Sequence, residues 1–183
     1  MQRRALWLER HVVNTEAVTQ QRRASGDGVQ GRMSAKAFQD YYQEKYSYCY
    51  GCGRLNEHGM KIKSYWDGEE SVCHFTPKDY YTGGFPEFLY GGLIASLMDC
   101  HAAGTAAAAK AREAGSDPET KPLDRFVTAS LKVDYLVPTP VAALEIRARV
   151  REINGRKVWL DAWAIADGKV RARCDVLMVQ IPE

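Results

Sequence analysis

Asp99 is the residue whose position most strongly suggests chemistry, because it lies inside a long apolar stretch that begins at Gly91. Burying an ionised carboxylate without partners costs several kcal/mol, and Asp is a poor residue for a helix interior. One explanation is structural: the side chain faces solvent or a polar partner, such as a Ser or Thr on a facing strand. The other is catalytic, since a positioned carboxylate can deprotonate water or attack a carbonyl carbon.

Gly91 and Gly92 favour the catalytic explanation, because they stand eight and seven residues before Asp99 at the start of the same stretch. The first N–H groups of a helix lack intrahelical acceptors and carry partial positive charge, and glycine lets a ligand approach them closely. At about 1.5 Å per residue, Asp99 lies roughly 10–12 Å further along the helix. If both groups act on one carbon, two copies of the chain must pair, with Asp99 of one copy facing Gly91 of the other.

A metal site is a different interpretation, suggested by the five cysteines and in particular by Cys49-x-x-Cys52. A structural zinc site takes four ligands, commonly as two pairs. The remaining candidate pairs fit poorly, because Cys73-His74 would point to opposite faces of a strand and Cys100-His101 would diverge by about 100° on a helix. The spacing therefore predicts no metal. The odd number of cysteines favours free thiols over a disulfide framework, as expected for a cytoplasmic protein.

The elements that must position these residues follow from hydrophobic periodicity and turn dipeptides. Asp67-Gly68, Asn154-Gly155 and Asp167-Gly168 predict three hairpin turns. The predicted elements are a short helix over 34–46, a long helix over 91–114, and strands over 60–66, 71–76, 128–135, 144–151, 157–166 and 170–181. Two strands, a helix and then four strands predict an α+β fold, with the helix across the concave face of one antiparallel sheet.

Length and charge limit the classes of protein that this chain can be. Its 183 residues suit one domain, predicted over 34–183 after a disordered leader over 1–33 that carries six arginines. The leader is also similar in composition to a transit peptide, but its three acidic residues argue against that interpretation. The net charge of +2 with no dense basic stripe argues against a nucleic-acid partner. The sequence contains no run of about 18 apolar residues, so no membrane span is predicted.

The segment Tyr90-Gly91-Gly92-(six residues)-Asp99 resembles the His-Gly-Gly-(six residues)-Asp/Glu motif of hotdog-fold acyl-CoA thioesterases related to phenylacetyl-CoA thioesterase. Further segments that resemble this family, in the same order, are 48–59, 128–138 and 154–157. Four matches in order are more specific than any one alone. The resemblance implies a hotdog fold, in which an antiparallel sheet of about six strands wraps around one long central helix.

The same resemblance implies an activity and roles for three residues. The reaction is hydrolysis of an acyl-CoA thioester to free acid and coenzyme A, with no cofactor beyond the coenzyme A of the substrate. Asp99 is the general base or the nucleophile, the Gly91 N–H is the oxyanion donor, and Thr128 helps to place the water. The site is shared across a dimer, and the assembly is a homodimer or a dimer of dimers.

Substrate binding is assigned to four other residues. Tyr90 and Gly92 flank the oxyanion donor, while Arg156 and Lys157 could contact the phosphates of coenzyme A or be ordinary solvated turn charges. Tyr90 stands where the family has His, and Gly84 stands where many relatives have Asn or Gln. These departures leave an alternative function open, a non-catalytic hotdog module that binds an acyl ligand or has a regulatory role.

Overall fold

The structure is a computed structural model that describes residues 36–182, so the predicted leader lies outside the described residues. Two 3₁₀ helices, Phe38–Tyr41 and Glu44–Tyr46, open the described part. The long helix α1 spans Gly91–Glu113. The strands are β1 (Ser64–Asp67), β2 (Glu70–Phe75), β3 (Phe126–Tyr135), β4 (Leu144–Asn154), β5 (Lys157–Ala166) and β6 (Lys169–Gln180). Over residues 36–182, no helix is both long and apolar enough to cross a membrane.

The six strands form one antiparallel sheet in the order β1-β2-β4-β5-β6-β3. The three predicted turns join β1 to β2, β4 to β5 and β5 to β6. At the last of them, Asp167 and Gly168 have φ of 51° and 70°, the left-handed backbone that a two-residue hairpin turn requires. This topology leaves β3 at one edge of the sheet. The predicted α+β architecture is therefore confirmed.

Helix α1 packs against β3, β4, β5 and β6, and small side chains let the two layers approach closely. Alanines are buried on both sides of this contact. They are Ala102, Ala103, Ala106 and Ala107 on the helix, and Ala148, Ala162, Ala164 and Ala172 on the sheet. Because interior packing leaves few voids, an alanine-lined contact sets a short distance between helix and sheet. The apolar sequence predicts burial on most sides of the helix, and this is confirmed, while Gly91, Ala95 and Asp99 leave one face of its first three turns half-buried.

The first predicted strand differs from the observed one, since β1 begins four residues later than expected. Before β1, the Met60 N–H donates to the Tyr50 carbonyl (2.8 Å) and the Ile62 N–H donates to the Gly51 carbonyl (3.1 Å). Lys61 between them has a φ of 51°, which is incompatible with a regular strand. This segment therefore pairs with the preceding cysteine-containing loop rather than with the sheet. In place of the single short helix predicted over 34–46, the described residues form two short 3₁₀ helices with Tyr42 and Gln43 between them.

A layer of buried polar side chains, which we call the polar layer, joins α1 to β1 and β2. His101 is fully buried, with Nδ1 2.9 Å from Ser64 Oγ and Nε2 2.9 Å from Ser71 Oγ. Gln39 Nε2 donates to Ser64 Oγ (2.9 Å), so the Ser64 hydroxyl is free to donate to Nδ1. Thr105 Oγ donates to the His101 carbonyl (2.8 Å), so Ser71 donates to Thr105 and accepts from Nε2. Each hydroxyl has one proton, and these directions select the neutral Nε2–H tautomer of His101.

Candidate active site

Asp99 and Thr128 form the central contact of the candidate site. Asp99 is half-buried on α1, and Thr128 lies on the edge strand β3, where its hydroxyl donates to Asp99 Oδ1. The register between β3 and β6 shifts between Thr128 and Ser130, as at a β-bulge. A Thr on a facing strand is the partner that a purely structural explanation of Asp99 requires. A catalytic role requires that the carboxylate also be accessible to substrate, and Asp99 is partly exposed.

The helix start lies between two tyrosine rings. Tyr90 precedes the first helical residue, and its N–H donates to the Tyr81 carbonyl at 3.0 Å. The Tyr135 hydroxyl donates to the Gly91 carbonyl at 2.7 Å, and a Cβ on Gly91 would lie 3.3 Å from that ring. A Cβ on Gly92 would lie 2.3 Å from the ring of Tyr90. The N–H groups of Gly91 and Gly92 belong to the first turn, where the helix itself offers no acceptor.

The two halves of the predicted chemistry lie apart within one chain. Gly91 and Asp99 are both on α1, and eight helical steps of about 1.5 Å separate them by roughly 12 Å. Asp99 bonds to the edge strand β3, whose residues Val127 to Ser130 are exposed. One chain therefore presents a carboxylate at an open sheet edge without a helix start beside it.

Arg156 and Lys157 lie in and just after the β4–β5 turn, where both are exposed. Val158 pairs with Met178 on β6, and Met178 pairs with Thr128 on β3, so the turn lies at the same end of the sheet as Thr128. Two strand spacings of about 4.8 Å separate Val158 from Thr128. Val158 is buried against the helix layer, so Lys157 projects from the opposite face. The structure places this pair near the site but does not bring it to the carboxylate, and phosphate binding by it stays a prediction.

A cleft of about 400 Å³ lies elsewhere, next to the loop before α1. Its lining includes His58, Met60, Phe75, Tyr80 and Tyr81. It has no lining residue from α1 or β3. This cleft is therefore separate from the contact between helix and edge strand described above.

Three consecutive residues of α1 point to three different surroundings, because each step of a helix turns by about 100°. Asp99 reaches Thr128, Cys100 reaches the Cys49-x-x-Cys52 turn, and His101 enters the polar layer. From the sequence, Cys100 and His101 fit poorly as one pair of metal ligands, and neither the contact of Cys100 with the cysteine turn nor that of His101 with the polar layer is predicted. The isolated polar residues on an apolar helix were the available indication that each has its own partner.

Comparisons with known proteins agree with this architecture. A family model described as the thioesterase superfamily matches residues 87–167. A solved thioesterase superfamily protein from Shewanella loihica PV-4 is 39% identical, with 77% of this chain and 100% of that chain covered and a TM-score of 0.57. The E. coli PaaI protein of the phenylacetic acid degradation operon is 18% identical, with coverages of 67% and 81% and a TM-score of 0.55, and shows the shared fold. A search of curated proteins returned no match.

Proposed function

The chain belongs to the thioesterase superfamily and has its hotdog fold, and from this premise we propose that it hydrolyses an acyl-CoA thioester to a free acid and coenzyme A. Membership of the superfamily supports thioester hydrolysis in general. The acyl-CoA substrate and the residue roles are the specific part of the proposal. The hydrogen bond from Thr128 to Asp99 at the open sheet edge is the observation that carries it.

The proposed chemistry uses one carboxylate and one backbone N–H. Asp99 takes a proton from water while the water oxygen bonds to the thioester carbon, and the Gly91 N–H stabilises the oxyanion that forms. When the intermediate collapses, the C–S bond breaks and the coenzyme A sulfur takes the proton back from Asp99. In the nucleophilic alternative, Asp99 bonds to the carbon first, coenzyme A leaves, and water then cleaves the resulting anhydride. In either route Thr128 holds one carboxylate oxygen, so the other faces the substrate.

The proposal includes a dimer, because the groups that act together lie about 12 Å apart in one chain. The edge strand β3 presents its unpaired side and exposed Val127 to a second copy. Strand pairing of two copies along this edge would continue the sheet and bring a second helix start towards Asp99. Tyr90 and Gly92 would then lie at the mouth of the same site, with Arg156 and Lys157 available for phosphates. The five free thiols support a cytoplasmic location.

An acyl-CoA panel read with a thiol reagent tests the activity. Asp99→Asn keeps the size of the side chain but removes the base, and it should lower kcat/KM by roughly 10²–10⁴-fold. Asp175→Asn is the matched control, because Asp175 is an exposed carboxylate on β6. Equal turnover by both variants would refute the role of Asp99. Label on Asp99 after a single turnover in ¹⁸O-water would identify the nucleophilic route, with water attacking the Asp99 carbonyl of the anhydride, since the general-base route labels only the product acid.

Subunit complementation tests whether the site is shared. Gly91→Pro removes the oxyanion donor, at the first helical position where proline is well tolerated. When Gly91→Pro and Asp99→Asn chains are mixed and exchanged, half of the dimers are mixed and each regains one of two sites. Activity should therefore return to about a quarter of the native value. No recovery after proven exchange would contradict the shared site.

A non-catalytic module that binds an acyl ligand is the second candidate, and the ring of Tyr90 against Gly92 favours it. That ring covers one of the two glycines through which a thioester would approach the helix start. Tyr90→His tests it, because the smaller imidazole is the residue found in the family motif. Tight binding of acyl-CoA without turnover in both the native chain and this variant would favour the module.

A further inference from the structure

The sulfur atoms of Cys49, Cys52 and Cys100 form a cluster that the proposed hydrolysis does not use. All three lie within 4.8 Å of one another, and the Cys49 and Cys100 sulfurs are 3.6 Å apart. Four ligands around zinc at about 2.3 Å place neighbouring sulfurs about 3.8 Å apart. A covalent disulfide would instead require about 2.05 Å. The spacing therefore fits ligands around one ion, as it also fits a thiol–thiol hydrogen bond, and it is too long for a disulfide.

The backbone of the loop is shaped to bring these sulfurs together. A Cβ on Gly51 would lie 2.3 Å from the Cys100 sulfur, so only glycine leaves room for that sulfur. A Cβ on Gly53 would collide with the Cys49 backbone, and the Gly53 N–H donates to the Cys49 carbonyl at 2.8 Å. This closes a tight turn of the kind that presents two cysteines of a C-x-x-C segment to one metal.

The charge of the surroundings also suits a metal bound by thiolates. Arg125 lies over the Tyr42 ring, with its guanidinium carbon 5.7 Å from the centroid, and its Nη1 is buried without a hydrogen-bond partner in the described part of the chain. Arg125 also lies beside Cys52 of the cluster, where its guanidinium can interact with that sulfur. Three thiolates and Zn²⁺ carry a net charge of −1, which Arg125 would balance.

We propose that Cys49, Cys52 and Cys100 bind one zinc ion, with water at the fourth position, and that this ion ties the loop to helix α1 beside Asp99. Soft thiolate ligands select zinc over the hard cations. Within residues 36–182, no His, Asp or Glu joins the three sulfurs, which leaves the fourth position to water. The expectation of no metal rested on ligands arriving in pairs, whereas the helix contributes Cys100 alone.

Elemental analysis of the full-length protein, purified without an affinity tag and under reducing conditions, tests the proposal. About one zinc per chain is expected in the native protein, with a roughly tenfold loss in Cys100→Ala. Cys174→Ala is the matched control, because Cys174 is also buried but lies outside the cluster, and it should keep its zinc. Copper in place of zinc, metal-free native protein with three free thiols, or a Cys49–Cys100 disulfide would each overturn the assignment.

Two further measurements do not depend on the folding of a cysteine variant. Replacement of the metal in the native protein by Co²⁺ should produce thiolate-to-cobalt charge-transfer absorption and the visible bands of tetrahedral cobalt. Gly51→Ala leaves every thiol in place but puts a methyl group against the Cys100 sulfur, so it should lose metal. Gly84→Ala is its control, because nothing lies within 4 Å of a Cβ there. Full metal content in Gly51→Ala, or a cobalt spectrum without charge transfer, would contradict the site.

Discussion

Acidification should destabilise this protein through His101, whose charge the fold cannot accommodate. Burial lowers the pKa of His101 from 6.5 to about 3, and the charge of Arg147 acts in the same direction. The polar layer adds a geometric reason, since Nδ1 accepts a hydrogen bond from Ser64, and Gln39 already donates to that hydroxyl. If Nδ1 were protonated, its N–H and the Ser64 hydroxyl would be two hydrogen-bond donors that face each other.

The size of the effect follows from the two pKa values. Between pH 6.5 and about 3 the unfolded chain binds a proton at His101 and the folded chain does not, so stability falls as the pH falls through this window. Each pH unit costs about 1.4 kcal/mol. At about pH 4.5, two units below the ordinary value, the loss is therefore about 2.7 kcal/mol. Above pH 7 the neutral ring contributes no dependence on pH.

Urea unfolding of the native chain and of His101→Gln, followed by tryptophan fluorescence from about pH 8 to about pH 4.5, isolates this contribution. The carboxylates are common to both proteins, so the difference between the two free energies of unfolding reports His101 alone. That difference should change by about 2.7 kcal/mol over the range, to the disadvantage of the native chain at low pH. Parallel curves, or a ring NMR signal of His101 that titrates near pH 6.5, would refute the reasoning.

Three further results are expected from the site and the sheet. Gly91→Pro should lower kcat by roughly 10²–10³-fold in the acyl-CoA assay. Gly91→Ala keeps the N–H and should retain most activity. Equal losses in the two variants would show that added bulk against Tyr135 is the cause. Thr128→Val should lower kcat roughly 10–100-fold through loss of the hydrogen bond to Asp99, whereas Thr128→Ser keeps the hydroxyl and should keep the activity. Full activity in the Val variant would remove Thr128 from the mechanism. Arg147 contacts three carboxylates at 2.6–3.1 Å, so Arg147→Met should lower the free energy of unfolding by about 1–3 kcal/mol. Urea titrations at low and high salt measure this change. An unchanged unfolding midpoint would contradict a stabilising network.

The elements of this protein could be predicted from the sequence because they depend on local patterns. Alternation along each strand and the dipeptides Asn154-Gly155 and Asp167-Gly168 predicted the strands and turns, and the apolar run predicted the central helix. The boundaries of the central helix and the later strands agree closely, but the helix predicted over 34–46 is two 3₁₀ helices. The first strand begins late because Lys61 adopts a left-handed backbone and the chain pairs with the cysteine loop instead. That pairing joins distant segments, which no local pattern records.

The candidate site divides in the same way between sequence and tertiary structure. The types and spacing of Gly91 and Asp99 are visible in the sequence, and so is the distance along one helix that separates them. Only the packed structure places Thr128 against Asp99, Cys100 among the loop sulfurs and His101 in the polar layer. Neighbouring residues on a helix point about 100° apart. What each side chain contacts depends on strand register and sheet curvature, and both of these are determined by residues that lie far apart in the chain.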